Sequence, residues 1–418
     1  MRITAPEQRV VARPEAPVVR GAAWVAMLAV VVSLVAHLSR VGWGLDRTDE
    51  GQYLLLLNDP EVSRSTVFLF GYVLHPVYQL VGGDITVLRV VGILGCVAAA
   101  AVLGVLAARL SGLSRAPGVV AAVVVAGFGL GPTLYFPLTP SYNTLAFWGV
   151  ALWGAGLLAV AASRAGVLGL PIAGPVMMGL GGVVAFSGKA TSGAALAVLT
   201  IVVALVMVVS SADRRRSAIE LGTGIGAGAA VGLMTLMAVV GHGPGWFVDF
   251  YRDGARSVAL LQGHDELVRW DSFSMDGVFA VPTVMAFVAT CVAMSFARRA
   301  SVFGWVFVAV QLAVTAGVVA MAVLRGGEAT GSPVMLLGWW LIPVVAVIAV
   351  TQAPSEDALV AARDRVLLVA VFALLPLVYV VGTNGNYWIA QARGAVFWVV
   401  AGLLLLGGRP AHRAVFTA

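Results

Sequence analysis

The sequence predicts an all-α polytopic membrane protein of about 12 transmembrane helices. Three observations carry this. The 418-residue chain is 60% hydrophobic and only 11% charged, with mean hydropathy +0.96. Apolar runs of about 20 residues recur along it, each long enough to cross ~30 Å of hydrocarbon as a helix. The 49 glycines suit helices that approach one another closely in lipid.

The elements follow in order. Residues 1–20 are polar, with Arg2, Arg9, Arg13 and Arg20, and read as a cytoplasmic tail. The apolar run 21–42 is too long for an ordinary signal-peptide core and reads as a retained signal-anchor. Further spans are expected at 85–108, 116–131, 144–163, 168–187, 191–210, 217–240, 277–297, 302–324, 334–351, 365–382 and 393–408. The stretch 65–83 is apolar enough to be a thirteenth, but the distribution of arginine argues against a crossing there. Without it, Arg109, Arg115, Arg164, Arg214, Arg215, Arg216, Arg298, Arg299, Arg363, Arg365, Arg409 and Arg413 all share the side of the N-terminal tail. Sixteen of the 26 basic and seven of the 20 acidic residues then lie on that side. The positive-inside rule makes it cytoplasmic, so both termini are expected inside. The stretch 65–83 is expected to be a periplasmic juxtamembrane or re-entrant segment, broken at His75-Pro76.

With this topology the unusual polar residues collect on the outer face. That face holds the loop 43–84, the loop 132–143, the turn around Lys189, the loop 241–276 and the loop 383–392. The two cysteines, Cys96 and Cys291, fall in apolar spans without metal spacing and read as core thiols. No basic patch suited to nucleic acid is present. Arginine preferred to lysine, with high alanine, valine and glycine, fits a GC-rich bacterium, and hence a multi-pass protein of the inner (plasma) membrane.

Asp49 and Glu50 are the leading candidates for chemistry. They form an acidic pair just past the first span, where a carboxylate beside a bilayer is costly. They suit the first turn of a helix starting there. They equally suit a general base that takes the proton of an acceptor hydroxyl, with the second carboxylate orienting the acceptor or a divalent cation. Lys189 is the only lysine in the chain. It lies in the turn Phe186-Ser187-Gly188-Lys189-Ala190-Thr191-Ser192-Gly193, whose small and hydroxyl residues would let a phosphate come close; the bland alternative is an interfacial lysine that snorkels. Arg89, one turn into a span, would hold an anion or close an ion pair. His75 would serve an anion or make an ordinary hydrogen bond. Tyr142 and Asn143, where a proline-rich loop enters a span, would contact substrate or cap the helix. Asn384 and Asn386, in an Asn-Gly turn beside Tyr387 and Trp388, suit a sugar. In the loop 241–276, His264, Asp265 and Glu266 lack a recognised ligand spacing, so the loop reads as amphipathic and solvated.

These features together resemble the GT-C superfamily of glycosyltransferases, nearest in pattern to the protein O-mannosyltransferase and aminoarabinose-transferase types. The resemblance rests on Asp49-Glu50-Gly51-Gln52-Tyr53 after the first span and Leu74-His75-Pro76-Val77 in the place of a Lys-Pro-Pro-like element. It extends through Leu88-Arg89-Val90-Val91 at the start of the next span to Val183-Val184-Ala185-Phe186-Ser187-Gly188-Lys189-Ala190, similar to a Gly-Leu-x-x-x-x-Lys-Gly-like turn. It covers roughly residues 21–210. Two departures stand out. His75 replaces the lysine of the Lys-Pro element, and Tyr142-Asn143 replaces an acidic residue at the start of the fourth span.

The resemblance implies inverting transfer of a sugar from a polyprenyl-phosphate donor to an acceptor hydroxyl on a protein, lipid or glycan. Asp49 would be the base and Glu50 its partner. Lys189, Arg89 and His75 would hold the donor phosphate. Tyr53, Tyr142, Asn143, Asn384 and Asn386 would contact substrate. The chain would then divide into a cytoplasmic tail at 1–20, a catalytic module at 21–210 with the loop 43–84, a second transmembrane module at 211–408 with the loop 241–276, and a tail at 409–418. A 12-helix secondary transporter or flippase is the main rival, although the halves show no repeat and the polar residues avoid the midplane. An envelope polysaccharide polymerase or ligase is a further alternative.

Overall fold

The computed structural model describes residues 17–46, 49–62, 66–113, 115–133, 137–169, 171–260, 362–382 and 393–406. Among the described residues every regular element is helical. In chain order the α-helices are α1 (Pro17–Leu38), α2 (Asp49–Asn58), α3 (Phe70–Leu80), α4 (Ile85–Leu110), α5 (Arg115–Phe128), α6 (Tyr142–Arg164), α7 (Ala173–Gly188), α8 (Ala190–Ser210), α9 (Arg214–Val240), α10 (Pro244–Ala259), α11 (Ala362–Val380) and α12 (Ala395–Leu406). Short 3₁₀ turns follow α2 at Pro60–Val62 and α5 at Gly131–Thr133.

Five stretches are long and apolar enough to cross a bilayer: α4, α5 with its 3₁₀ extension, α6, α8 and α9. Shorter apolar helices lie at Ala23–Leu38, Ala173–Gly188 and Ala395–Leu404. The spans expected at 277–297, 302–324 and 334–351 lie outside the described residues.

The central helix is α6. Trp153, Phe147, Val150, Leu157 and Leu158 are fully buried in the main core, which draws on α4, α5, α8, α11 and α12 as well. A stripe of glycines brings α6 and α7 together. Gly149 and Gly156 are seven residues apart on α6, as are Gly174, Gly181 and Gly188 on α7, so each set keeps one face. A Cβ on Gly156 would lie 2.6 Å from the Gly174 carbonyl oxygen, and one on Gly181 would lie 2.5 Å from the Trp153 nitrogen. No side chain fits between these backbones, so the contact rests on packing at close range.

Several boundaries differ from those the sequence suggests. α1 ends at Leu38, before residue 42, because the chain turns there and Gly44 takes a left-handed φ of 54°. α7 starts at Ala173, after residue 168, because α6 is stopped by left-handed Gly166 and Pro171 follows. α3 runs unbroken through Pro76, contrary to the break expected at His75-Pro76. Its buried Phe70 and Leu74 pack on Tyr53, Leu56 and Leu57 of α2, and that packing outweighs the one lost N–H donor. At 11 residues α3 is about 16 Å long, half a bilayer core. Part of the loop 241–276 is the helix α10. Pro244 occupies its first position, and Trp246, Phe247, Phe250 and Tyr251 share one face with Tyr72 and Phe186. The other face carries the pairs Arg252–Asp249 at 3.1 Å and Arg256–Asp253 at 3.3 Å.

The short helices α2, α3 and α10 gather at one end of the bundle. There lie the starts of α4, α6, α8 and α12 and the ends of α7, α9 and α11. The Leu69 N–H bonds to the Ser187 carbonyl (3.1 Å), and Thr191 Oγ1 donates to the Val381 carbonyl (2.8 Å). At the opposite end Arg164 reaches Met207 and Ser217, and Ser111 bonds to the Leu403 carbonyl.

Candidate functional site

Two polar centres occupy the end that carries α2 and α3. The first is a closed knot around Glu50 and Arg89. Asp84 caps α4, its carboxylate accepting from the Thr86 and Val87 N–H groups at 2.8 and 3.1 Å. This sets the angle at which Arg89, one turn in, meets the loop after α1. Its guanidinium and the Glu50 carboxylate form a bidentate pair: Nε to Oε1 at 3.0 Å and Nη2 to Oε2 at 2.8 Å. Both residues are buried, at 4% and 2% exposure.

The remaining donors and acceptors of the pair are matched too. Arg89 Nη1 donates to the Val41 and Trp43 carbonyls at 2.6 and 3.3 Å, and Nη2 to the Gly44 carbonyl at 2.9 Å. Glu50 accepts from the Asp46 and Thr139 N–H groups at 3.1 and 3.3 Å, and from the Thr139 hydroxyl. All five N–H groups of the guanidinium are thereby held by acceptors of the chain itself. The pair ties Val41, Trp43, Gly44 and Asp46, the start of α2, α4 and Thr139 to one another. The sequence reading leaves Arg89 between an anion contact and an ion pair, and gives Glu50 to an acceptor or cation; the structure shows the ion pair and makes Glu50 its partner.

Asp49, the neighbour of Glu50, is different. It is exposed at the first turn of α2. One turn on, Tyr53 is buried, and its hydroxyl is pushed up, first by burial and then by Tyr142 and Asp49, with Arg393 opposing. Tyr53 meets Tyr142 edge-on at 5.8 Å and Phe70 edge-on at 5.6 Å. Phe68 stacks on Tyr142 at 4.1 Å and 9°.

Tyr142 leads to the second centre, at Lys189. The two residues sit at helix starts. Ser141 and Thr144 form a capping box that begins α6 at Tyr142, and Lys189 is the junction between α7 and α8. The Lys189 side chain is 4% exposed. Its Nζ lies 5.8 Å from the ring centres of both Tyr142 and Tyr379, within cation–π range. It donates a long hydrogen bond to the Tyr379 carbonyl, at 3.5 Å. No carboxylate of the described residues pairs with it. Burial, followed by repulsion from Arg393, pushes the ammonium down to about 7. A buried lysine with that poise exchanges a proton near neutral pH.

The other expected contacts divide. His75 donates its Nδ1–H to the Leu57 carbonyl at 2.7 Å and fastens α3 to α2. Asn143 is buried, and its Nδ2 has no hydrogen-bond partner among the described residues. Asn384, Asn386, His264, Asp265 and Glu266 lie outside the described residues. Among the described residues no group of three or more His, Cys, Asp or Glu could hold a metal ion. Cys96 is a buried free thiol within α4.

Thr139, Tyr379 and Arg393 escaped the sequence reading. Thr139 lies between two prolines with no pattern of its own. Tyr379 looks like one more aromatic in an apolar run. Arg393 did carry a signal: with Arg89 it is one of two arginines at the outer end of an expected span.

Compared with family models, curated proteins and solved structures, the chain matches none of them.

Proposed function

We propose that this chain is a membrane glycosyltransferase that moves a sugar from a polyprenyl-phosphate-linked donor to an acceptor hydroxyl, with inversion. The observation that carries this reading is an exposed carboxylate, Asp49, at the same end of the bundle as a buried ammonium, Lys189, that has no carboxylate partner among the described residues. Lys189 lies over the Tyr142 ring, and Tyr142 meets Tyr53, one turn after Asp49.

In this reading Asp49 accepts the proton of the acceptor hydroxyl as its oxygen bonds to the anomeric carbon. The bond from that carbon to the donor phosphate oxygen breaks, and polyprenyl phosphate leaves. Lys189 neutralises the charge that grows on the departing phosphate. Tyr53, Tyr142 and Phe68 offer ring faces and a phenol to the sugar, with Asn143 beside them and Asn384 and Asn386 as further contacts. Glu50, Arg89 and His75 act indirectly by fixing the turn from which Asp49 projects. The full chain would have about 12 spans, both termini inside, and this end of the bundle on the outer face of a bacterial inner membrane.

The test is transfer of radiolabelled sugar from a panel of polyprenyl-phosphate sugars, in membranes carrying wild type or Asp49→Asn at equal expression. Label transferred by wild type and lost in the variant supports the reading. Equal transfer by both would remove Asp49 as the base. No transfer from any donor, together with solute uptake into proteoliposomes, would replace the enzyme with a transporter.

A further inference from the structure

We propose that Arg164, Arg214 and Arg215 form a site for the headgroup phosphate of an anionic phospholipid, whose acyl chains lie along the exposed apolar stripe of α8. The site is at the end of the bundle opposite Asp49 and Lys189, and it stands apart from the sugar-transfer reading.

Two helices assemble the cluster. Arg164 lies in the last turn of α6, and Arg214, Arg215 and Arg216 open α9. Cations are unfavourable at the positive end of a helix, so three arginines in the first turn of α9 run against local preference. Arg164 reaches across to that same turn. Its Nη2 lies 3.4 Å from Ser217 Oγ, and both terminal nitrogens lie 3.4 Å from the Met207 carbonyl oxygen. These contacts are long for a guanidinium, whose bonds to an anion are shorter and stronger. Arg214 is one turn before Ser217 on the same face of α9, so it and Arg164 belong to one side. Arg215 is one turn before Ile219, on a face that is exposed.

The acids of this segment are engaged elsewhere. Asp213 caps α9, accepting from the Arg216 N–H at 2.9 Å, and Glu220 pairs with Arg216 Nε at 2.7 Å. Among the described residues no carboxylate pairs with Arg164, Arg214 or Arg215. Three exposed cations thus share one corner of the bundle without a countercharge of the described chain.

The neighbouring surface points to a lipid as the source of the anion. Val198, Ile201, Leu205 and Val209 are exposed and recur at helical spacing along one face of α8. From Val198 to Val209 the helix rises about 16 Å, roughly one leaflet of a ~30 Å hydrocarbon core. Val209 is in the last turn of α8, and only the turn 211–213 separates that helix from Arg214. Ile219, one turn into α9, is exposed as well. An acyl chain on the stripe therefore ends where the arginines begin, which is the layout of a phospholipid. A soluble phosphate would use the arginines alone.

The experiment is native mass spectrometry of the purified full chain, titrated in detergent with phosphatidylglycerol or phosphatidylcholine of identical acyl chains. The first headgroup is anionic and the second zwitterionic. Wild type should bind the first phosphatidylglycerol at least roughly tenfold more tightly than phosphatidylcholine, and the preference should shrink as salt rises. Arg164→Gln, Arg214→Gln and Arg215→Gln should each weaken phosphatidylglycerol roughly fivefold, and the triple variant roughly 100-fold. Phosphatidylcholine should bind all of them alike. The triple lysine variant keeps the charge and should keep most of the preference, which separates lost charge from lost fold. Thermal melts of each variant run in parallel, and the single variants are read if the triple glutamine variant misfolds. Arg115→Gln is the control for diffuse charge, because α5 starts at the same end but packs on α1 and α4; it should leave the preference intact. Glycerophosphoglycerol, the headgroup without acyl chains, should bind at least roughly 100-fold more weakly than the lipid. Equal affinity of wild type for the two lipids, a full preference in the folded glutamine variants, or an equal loss in Arg115→Gln overturns the site. Binding of glycerophosphoglycerol as tight as that of the lipid overturns the role of the α8 stripe and with it the lipid assignment.

Discussion

Replacing Arg89 with methionine tests whether the guanidinium is a brace or a ligand. Methionine keeps most of the length and apolar volume of the stem and removes all five donors. Glu50 would remain buried with three donors, the Asp46 N–H and the Thr139 N–H and hydroxyl, but without a countercharge. The Val41, Trp43 and Gly44 carbonyls would lose their partner together. Removing one member of a buried ion pair costs about 3–5 kcal/mol. At about 2 °C per kcal/mol, the low end for larger chains, the melting midpoint should drop by roughly 6–10 °C. The assay is thermal unfolding of purified protein in detergent at fixed pH, beside Glu50→Gln and the double variant. Because each single change strands the other partner, the double variant should lose less than the two singles combined. In the fraction that folds, binding of the donor phosphate should be retained. An unchanged melt with that binding abolished would refute the reasoning and return Arg89 to the ligand.

Further expectations follow from the same geometry. Asp49→Asn should lower sugar transfer by roughly 10²- to 10⁴-fold while leaving the melt within about 1 kcal/mol, since the exposed carboxylate contributes only a helix-terminus term; a large loss of stability would mark Asp49 as structural. Lys189 is held below its unfolded value by burial, so the folded protein binds fewer protons than the unfolded chain between about 7 and 10.5. Stability in the absence of phosphate should therefore rise with pH across that window by at most about 1.4 kcal/mol per pH unit. Melts of wild type and Lys189→Met check this, and an equal slope in both would remove Lys189 as its source. Gly156→Val should break the α6–α7 contact, because its side chain would run into the Gly174 carbonyl. Overpacking of this kind costs typically 1–3 kcal/mol or more, readable as lost folded yield on gel filtration. Ser141→Ala should cost about 0.5–2 kcal/mol through the lost cap of α6 and should loosen Tyr142, so binding of the donor phosphate would weaken alongside the melt.

The helical architecture was legible at once, because apolar runs of bilayer length leave the backbone no other way to satisfy its hydrogen bonds. The ends of α4 and the course of α6 fall within a few residues of the spans expected from the apolar runs, and the structure shows the local devices that fix them at Asp84, Ser141 and Gly166. The α6–α7 glycine stripe was visible only as an excess of glycine; which glycines meet depends on the faces the two helices present. The course of α3 was misjudged because proline was weighed alone, and the α2–α3 packing that overrides it is a tertiary fact.

The candidate site divides in the same way. That Asp49, Glu50, Arg89 and Lys189 are unusual follows from the cost of placing charge beside a bilayer, and a single chain read in order is enough to say so. How they are partnered is not local. Glu50 and Arg89 lie 39 residues apart, Lys189 and Tyr379 are 190 apart, and hydrogen-bond capacity is allotted in space rather than along the chain. Only the packed helices turned one carboxylate of an adjacent pair into a buried counterion and left the other facing solvent.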